Sequence, residues 1–280
     1  MMDLETLLSS ALELGVEGEW EEAAELLRSG LEDFPEEPAV LCWLGAAERE
    51  LGMDGIAYER FKQCLALQPE DPHILATAGT ALATFDDPEA EAALRTAALL
   101  APELPLARWM YGAYLAREGF VTEALAELDA AAVLAPDDPV VALERGVAMA
   151  LAGDLQGAVF DLTRAAEADE EDGWPLVLLG LIEVEAGEWE EAADRLEAGA
   201  RLRPEDVEAQ VMAALAAAAV EREEVALEML ERGRQRSRGA DLQMLNEADD
   251  RVVEGAAPAR ELLVSVVGPS SLRERLMTRP

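Results

Sequence analysis

Apolar residues recur every three or four positions along most of the chain, in short segments separated by glycine or proline. Two such segments are Leu106–Arg117 and Thr122–Leu134, and their spacing is typical of amphipathic α-helices. A glycine between two segments permits the positive φ that ends a helix, and a proline after the second segment stops it. The pattern therefore predicts pairs of helices joined by a tight turn.

This pattern repeats along the chain with a period of 34 residues, shortened once to 33. Two glycine series and a proline series keep the register of one alanine series, which consists of Ala23, Ala57, Ala90, Ala124, Ala158, Ala192 and Ala226. A single helix–turn–helix unit cannot bury its own apolar face, whereas stacked units bury a continuous core. The sequence therefore predicts an all-α solenoid of seven helix–turn–helix repeats.

Three units depart from the pattern. The third unit, Pro72–Leu104, is one residue short around Phe85–Pro88 and has no turn glycine, which predicts a local distortion. The fifth unit ends in Asp169–Asp172 without a proline. The seventh lacks both glycines and has Arg238 where the closing proline would stand, so its boundaries are the least regular.

The markers of the fourth unit resemble those of a tetratricopeptide repeat. Within Pro105–Pro136, Gly112 lies in the first helix, Gly119 at the turn and Ala124 in the second helix, and Gly173–Pro204 is similar throughout. The resemblance covers most of the chain. It implies a right-handed superhelical solenoid whose concave face is lined by the first helices of the repeats and binds peptides or helices.

We predict three regions: seven repeats over residues 4–240, a capping helix within residues 241–257, and an apolar and basic tail over residues 258–280. The capping helix is expected at Asp241–Val253. In the tail, Gly268–Pro269 is interpreted as a break and Ser271–Glu274 as a capping box that opens a short helix. Residues 259–277 are expected to dock on the repeats, in the same chain or in a neighbouring copy. A free tail that binds a partner and a disordered tail without function are the alternatives.

The resemblance also implies which side chains line the peptide-binding groove. They are Leu8, Leu12, Arg49, His73, Thr80, Leu106, Trp109, Leu143, Val147, Trp174, Val177, Leu181, Val184 and Val211. From Leu106 onward this face is almost uncharged, and soluble proteins seldom leave a large apolar patch open to water. Either a ligand covers it, with Trp109 and Trp174 as anchors, or these side chains pack between neighbouring repeats.

The formal net charge of −37 favours some partners over others. An acidic surface repels nucleic acid and anionic lipid and attracts basic proteins, so we expect a basic or amphipathic protein or peptide partner and neither nucleic acid nor membrane. No apolar run reaches eighteen residues and the N-terminus has no basic region, which favours a cytoplasmic location.

Nothing in the sequence predicts catalysis, a cofactor or a metal site. His73 is the single histidine, the two cysteines do not form a metal or redox motif, and no phosphate-binding loop or nucleophile elbow occurs. We therefore expect a non-enzymatic scaffold, adaptor or chaperone-like holder. The alternatives are a structural protein that self-assembles through its tail and a regulatory subunit of an enzyme encoded elsewhere.

Overall fold

The computed structural model describes residues 2–239 and 241–278, and most of these residues lie in helices that come in pairs. The first helices of the pairs are α1 Leu4–Val16, α3 Pro38–Glu50, α5 Pro72–Ala83, α7 Pro105–Arg117, α9 Pro139–Leu151, α11 Trp174–Ala186 and α13 Val207–Ala219. The second helices are α2 Trp20–Asp33, α4 Asp54–Ala66, α6 Glu89–Leu100, α8 Val121–Leu134, α10 Leu155–Ala168, α12 Trp189–Leu202 and α14 Glu223–Arg236. The predicted all-α architecture of helix–turn–helix repeats is confirmed.

Four further helical elements follow the last pair. They are α15 Asp241–Glu254, α16 Ala256–Leu262, a π-helical turn Leu263–Val267 and α17 Gly268–Met277. We call Ala256–Met277 the C-terminal segment. The helix predicted at Asp241–Val253 corresponds to α15. Ala240, Arg279 and Pro280, which the predicted regions include, lie outside the described residues.

The contacts divide the chain into two compact units, each with its own core. Unit 1 extends to Leu115 and includes Ala126–Leu134, and unit 2 consists of Ala116–Leu125 and the described residues from Ala135 onward. Phe61, Leu82 and Leu94 are among the largest fully buried side chains of unit 1. In unit 2 the corresponding side chains are Leu162, Leu178, Leu179, Leu181, Leu196 and Met212.

The turn inside each pair is closed by a residue with positive φ. Five of these residues are glycines, Gly18, Gly52, Gly119, Gly153 and Gly187. Where the sequence has no glycine, Asp86 with φ of 54° and Glu221 with φ of 62° take the same conformation. The third unit also has the shortest pair, since α5 and α6 contain 12 residues each. The predicted local distortion of the third unit is therefore found in its turn and its helix lengths.

A glycine inside the first helix allows close approach of the second helix in the same pair. In unit 2, a Cβ atom added to Gly146 would lie 2.9 Å from Leu162 Cγ, and one added to Gly180 would lie 2.6 Å from Leu196 Cγ. Both leucines stand four residues after the repeated alanine. The two small residues of the repeat therefore have separate packing roles, because the glycine accommodates a leucine and the alanine is itself buried in the core.

Two buried acidic side chains of unit 2, Asp161 and Glu144, are each hydrogen-bonded to an arginine. Asp161 on α10 is fully buried, and its carboxylate accepts hydrogen bonds from Arg145 Nε at 2.6 Å and Arg145 Nη2 at 2.8 Å. Glu144 accepts from Arg117 Nη1 at 2.8 Å. Such pairs satisfy charges that would otherwise be costly to bury.

Candidate functional site

The C-terminal segment lies against first helices of unit 2. Its helix α16 contacts α13 and α15, the π-helical turn contacts α11 and α13, and α17 contacts α11 and α9. The surface that the segment covers is thus built from the helices that the sequence predicted to line a groove. We call the surface of α9, α11 and α13 under this segment the docking face.

One side of the C-terminal segment is apolar and belongs to the core of unit 2. Its buried side chains are Ala259, Leu262, Leu263, Val267, Leu272 and Leu276. They form one cluster with docking-face residues such as Leu143, Leu181 and Val211. The opposite side of the segment exposes the charged side chains of Glu261, Arg273 and Glu274, together with Val264, Val266 and Met277. The segment is therefore an amphipathic helix that buries its apolar stripe on the repeats.

Arg275 on α17 is the polar anchor of this contact, although the residue is only 5% exposed. Its Nη1 and Nη2 atoms donate to Asp206 Oδ2 at 2.7 Å and Oδ1 at 2.9 Å, and Nη2 also donates to Glu208 Oε2 at 3.1 Å. Its Nε atom donates to Ser271 Oγ at 2.9 Å, and Ser271 Oγ donates to Glu208 Oε2 at 3.0 Å. The planar guanidinium thus binds the Asp206 carboxylate through two parallel hydrogen bonds, and this geometry favours arginine over lysine.

Trp174 completes the surroundings of Arg275. The Arg275 guanidinium carbon lies 5.2 Å from the centroid of the Trp174 ring, and that of Arg203 lies 4.8 Å from it. Both distances are within the range of a cation–π interaction. Trp174 is the first residue of α11, and its backbone N–H donates to Asp172 Oδ1 at 2.8 Å, which fixes the start of the helix. The predicted anchor Trp174 is therefore in contact with an arginine of the same chain.

Asp206 serves both as a helix cap and as a counter-ion. Its Oδ1 accepts from the backbone N–H of Ala209 at 3.0 Å at the start of α13. Burial raises the pKa of Asp206, but the hydrogen bonds and the positive charge of Arg275 have the larger, opposite effect. The pKa of Asp206 therefore lies below its ordinary value. For Arg275, burial lowers the pKa and Asp206 raises it, and the net shift is upward. Both groups are charged at neutral pH.

Arg260 supplies a second polar contact at the other end of the segment. Its Nε and Nη2 atoms donate to the backbone oxygen of Ala219 at 2.9 and 2.6 Å. Ala219 ends α13, where carbonyl groups lack partners within the helix and carry the negative end of the helix dipole. The Arg260 guanidinium carbon also lies 5.0 Å from the centroid of the Trp189 ring. The segment is therefore held at both ends by an arginine.

The structure places the predicted groove residues in different environments. In unit 2 all of them are buried, namely Leu143, Val147, Trp174, Val177, Leu181, Val184 and Val211, and the structure brings them into one core cluster. In unit 1, Trp109 is buried, Leu12 and His73 are exposed, and the half-buried residues are Leu8, Arg49, Thr80 and Leu106. Their role in binding a peptide stays a prediction.

Two expectations about the tail were wrong. Gly268–Pro269 does not break the helix, because Gly268 N–H donates to Leu263 O across the π-helical turn and Pro269 stands in the first turn of α17, where its missing N–H is tolerated. Ser271 does not cap a helix, because α17 has already begun at Gly268. Ser271 is instead fully buried and contacts Glu208.

The sequence analysis did not predict that Ser271 and Arg275 contact Glu208. The two residues lie 63 and 67 positions after Glu208 in the sequence. Asp206 was recognised only as part of an acidic pair that precedes a first helix. The one signal was the positive charge of the tail beside an acidic body. Of the helices within the described ranges, none has both the length and the apolar character needed to cross a membrane.

Comparison with known proteins identifies the repeat. A family model described as a tetratricopeptide repeat matches residues 177–241, which include α12, α13 and α14. No curated protein matches the chain in sequence.

Several solved structures share the fold at low sequence identity. A chain of the APC/C hetero-tetramer Cut9–Hcn1 has a TM-score of 0.72 at 20% identity, over 88% of this chain and 49% of that one, so this chain spans about half its length. A tetratricopeptide repeat protein from Parabacteroides merdae has a TM-score of 0.62 at 15% identity, over 88% and 98%. PilW, a type IV pilus biogenesis factor, has a TM-score of 0.59 at 23% identity, over 70% and 90%. At these identities the likeness shows the fold alone.

Proposed function

We propose that this chain, whose residues 177–241 match a tetratricopeptide repeat model, is a protein–protein interaction scaffold that binds an apolar or amphipathic helix of a partner protein on the docking face. In this role it would act as an adaptor or a chaperone-like holder without catalytic activity of its own. The cytoplasmic location and the preference for a basic partner, both inferred from the sequence, belong to the same proposal.

The observation that carries the proposal is the C-terminal segment itself. An amphipathic helix from outside the repeats already lies on α11 and α13, with its apolar side in the core and an arginine at each end. A surface that accepts one such helix has the shape and chemistry to accept another. We therefore propose that the segment occupies the docking face in the same chain and that a partner helix competes with it.

The proposal is tested by capturing partners with the full chain in three forms: wild type, Arg275→Gln and Arg273→Gln. Arg275→Gln removes the buried anchor, whereas Arg273 lies two positions away on the exposed side of the same helix and is the matched control. Hydrogen exchange should show faster exchange in α17 for Arg275→Gln alone. A protein captured by this variant and not by the other two forms would support competition for the docking face.

Two results would contradict the proposal. If all three forms captured the same proteins, the partner would bind elsewhere and the docking face would be structural. If none captured a protein and sedimentation showed a mass that rises with concentration, self-assembly through the tail would be the better explanation.

A further inference from the structure

We propose that Trp174, Asp206 and Glu208 form an arginine-recognition site, and that the partner helix which binds the docking face carries an arginine that replaces Arg275. This inference rests on the proposed function and names the chemistry of the partner. The partner is an amphipathic helix with an arginine on its apolar side, next to a small hydroxyl residue one turn earlier.

The donor pattern at the site is specific for a guanidinium. Three nitrogen atoms of Arg275 make four hydrogen bonds: two to Asp206, one to Glu208 and one to Ser271. A lysine ammonium has three donors on a single nitrogen, so it cannot reproduce these four hydrogen bonds or the two parallel bonds to Asp206. The Trp174 ring adds a flat surface 5.2 Å from the guanidinium carbon, which suits a planar cation better than a compact one.

The acidic side of the site is held in position by the repeats themselves. Asp206 caps α13 through Ala209 N–H, so the helix holds its carboxylate in position, and Glu208 lies in the first turn of the same helix. Arg203 Nε is 3.4 Å from Asp206 Oδ2, and its guanidinium carbon lies above the Trp174 ring. Asp206, Glu208, Trp174 and Arg203 all come from the repeats, and only Arg275 and Ser271 come from the segment. The repeats therefore present an acidic and aromatic receptor.

The connection between the repeats and the segment is suited to exchange. Gly255 precedes α16 with φ of 112° and ψ of −172°, a conformation that is essentially restricted to glycine. A change at this one residue would redirect the whole segment without breaking a helix. The outer side of the segment exposes Val264, Val266 and Met277, so the segment is not enclosed by other parts of unit 2.

Because the C-terminal segment is tethered to the repeats, it determines how high the affinity of a competing partner helix must be. A segment on a short linker has an effective concentration of about a millimolar, so an equally good helix supplied at micromolar concentration would not displace it. Weakening Arg275 lowers this barrier and should uncover the site to a ligand added in solution.

The test uses a fluorescent peptide identical to residues 259–278 as the probe and the full chain as the receptor. We expect the probe to bind the Arg275→Gln chain at least tenfold more tightly than the wild-type chain. A probe with the Arg275→Gln change should bind the same receptor at least tenfold more weakly than the parent probe. A probe with Arg273→Gln is the matched control and should bind like the parent, because Arg273 is exposed.

A second receptor variant separates the arginine site from the apolar contact. Asp206→Asn, introduced together with Arg275→Gln, removes the negative charge and keeps an N-cap residue, since asparagine caps helices as well as aspartate does. With this receptor, the preference for the parent probe over the Arg275→Gln probe should become several-fold smaller, because only Glu208 and Trp174 still contact the arginine.

The inference is overturned by any of three results. The two probes binding the Arg275→Gln receptor equally would mean that only the apolar face recognises a helix, which leaves the proposed function intact. Unchanged hydrogen exchange of α17 in Arg275→Gln, with no probe binding, would mean that Arg275 does not control access. A wild-type mass that rises with concentration and falls when the parent probe is added would assign the site to a second copy of this chain.

Discussion

At the scale of single residues, Glu183 on α11 illustrates what an incompletely paired acid does. The residue is 8% exposed, its Oε2 has no hydrogen-bond partner among the described residues, and Arg195 Nε lies 3.8 Å from Oε1. Burial raises the pKa of Glu183 to about 7, against a smaller lowering by Arg195. The folded state thus holds a proton between pH 4.5 and about 7 that the unfolded chain releases. The free energy of unfolding therefore falls as the pH rises through this window.

Glu183→Met should relieve this cost. Met149 occupies the same position one repeat earlier, so the side chain suits the site. We expect the gain in free energy of unfolding to be about 1–3 kcal/mol larger at pH 8 than at pH 4.5. Urea unfolding followed by circular dichroism at several pH values measures the difference.

The equivalent position in the second repeat supplies the control. Glu48 is buried, but Arg28 Nε and Arg60 Nε lie 3.3 and 3.4 Å from its carboxylate. Glu48→Met removes these ion pairs, so it should lower the free energy of unfolding at pH 8. A gain for Glu183→Met that does not depend on pH would contradict the titration argument.

Gly180 on α11 is a residue at which the close approach of the second helix leaves no room for a side chain. Gly180→Ala should lower the free energy of unfolding by about 1–2 kcal/mol, because the added methyl would lie 2.6 Å from Leu196 Cγ. Gly55 on α4 is the matched control, since a Cβ added there meets no atom within 4 Å. Gly55→Ala should raise the free energy of unfolding by about 0.5–1 kcal/mol. Thermal unfolding of both variants measures the effects, and an equal gain at both positions would contradict the packing argument.

At the scale of helices and turns, the repeat could be predicted from the sequence because its information is local and recurs. Spacing of apolar residues predicted the helix pairs, and the turn glycines predicted the residues with positive φ. Even the exceptions, Asp86 and Glu221, fall at positions where the register expects a glycine. Because the same sequence pattern occurs in every unit, one irregular turn does not change the prediction.

The C-terminal segment could not be predicted in the same way, because it occurs once. Gly268–Pro269 usually ends a helix, and Ser271–Glu274 usually begins one. Here the π-helical turn continues the helix into Gly268–Pro269. Ser271 is used for a buried contact with Glu208 and not for a helix cap. Both features depend on α11 and α13, which are more than 45 residues away in sequence. Local patterns cannot report contacts of that range.

The π-helical turn is where the C-terminal segment is most sensitive to change. Gly268→Ala places a methyl 2.6 Å from the backbone oxygen of Leu263. Because that oxygen accepts the hydrogen bond that closes the turn, the helix must shift and the contacts of α17 must loosen. We expect amide hydrogen exchange in α17 to become about tenfold faster, equivalent to a loss of about 1.4 kcal/mol.

Gly239→Ala is the control for this change. Gly239 also lies outside the repeats' helix interiors, and a Cβ added there meets no atom within 4 Å. Exchange in α17 should then be unchanged. Equal exchange in wild type and in the Gly268→Ala variant would show that the π-helical turn does not determine how the segment docks.

At the scale of the whole molecule, we expect like-charge repulsion to outweigh the surface ion pairs. The chain has 59 acidic and 22 basic side chains, so most acidic groups have no basic group to pair with. Exposed ion pairs such as Arg222 with Glu190 contribute about 0–1 kcal/mol each. Repulsion among the excess carboxylates acts over roughly 10 Å at 0.1 M salt and is present in the compact state far more than in the unfolded chain.

Added salt should therefore stabilise the chain. We expect the urea midpoint to rise between about 20 and about 300 mM sodium chloride, with little change in the slope of the transition. Potassium chloride should act equally, because screening depends on ionic strength and not on the cation. The Arg275–Asp206 pair is buried and screened much less, so hydrogen exchange in α17 should not become faster over the same range.

A midpoint that falls with salt would mean that ion pairs and not repulsion dominate the surface energy. Faster exchange in α17 with a rising midpoint would mean that long-range attraction between the basic segment and the acidic repeats holds the segment in place more than the local hydrogen bonds of Arg275 do.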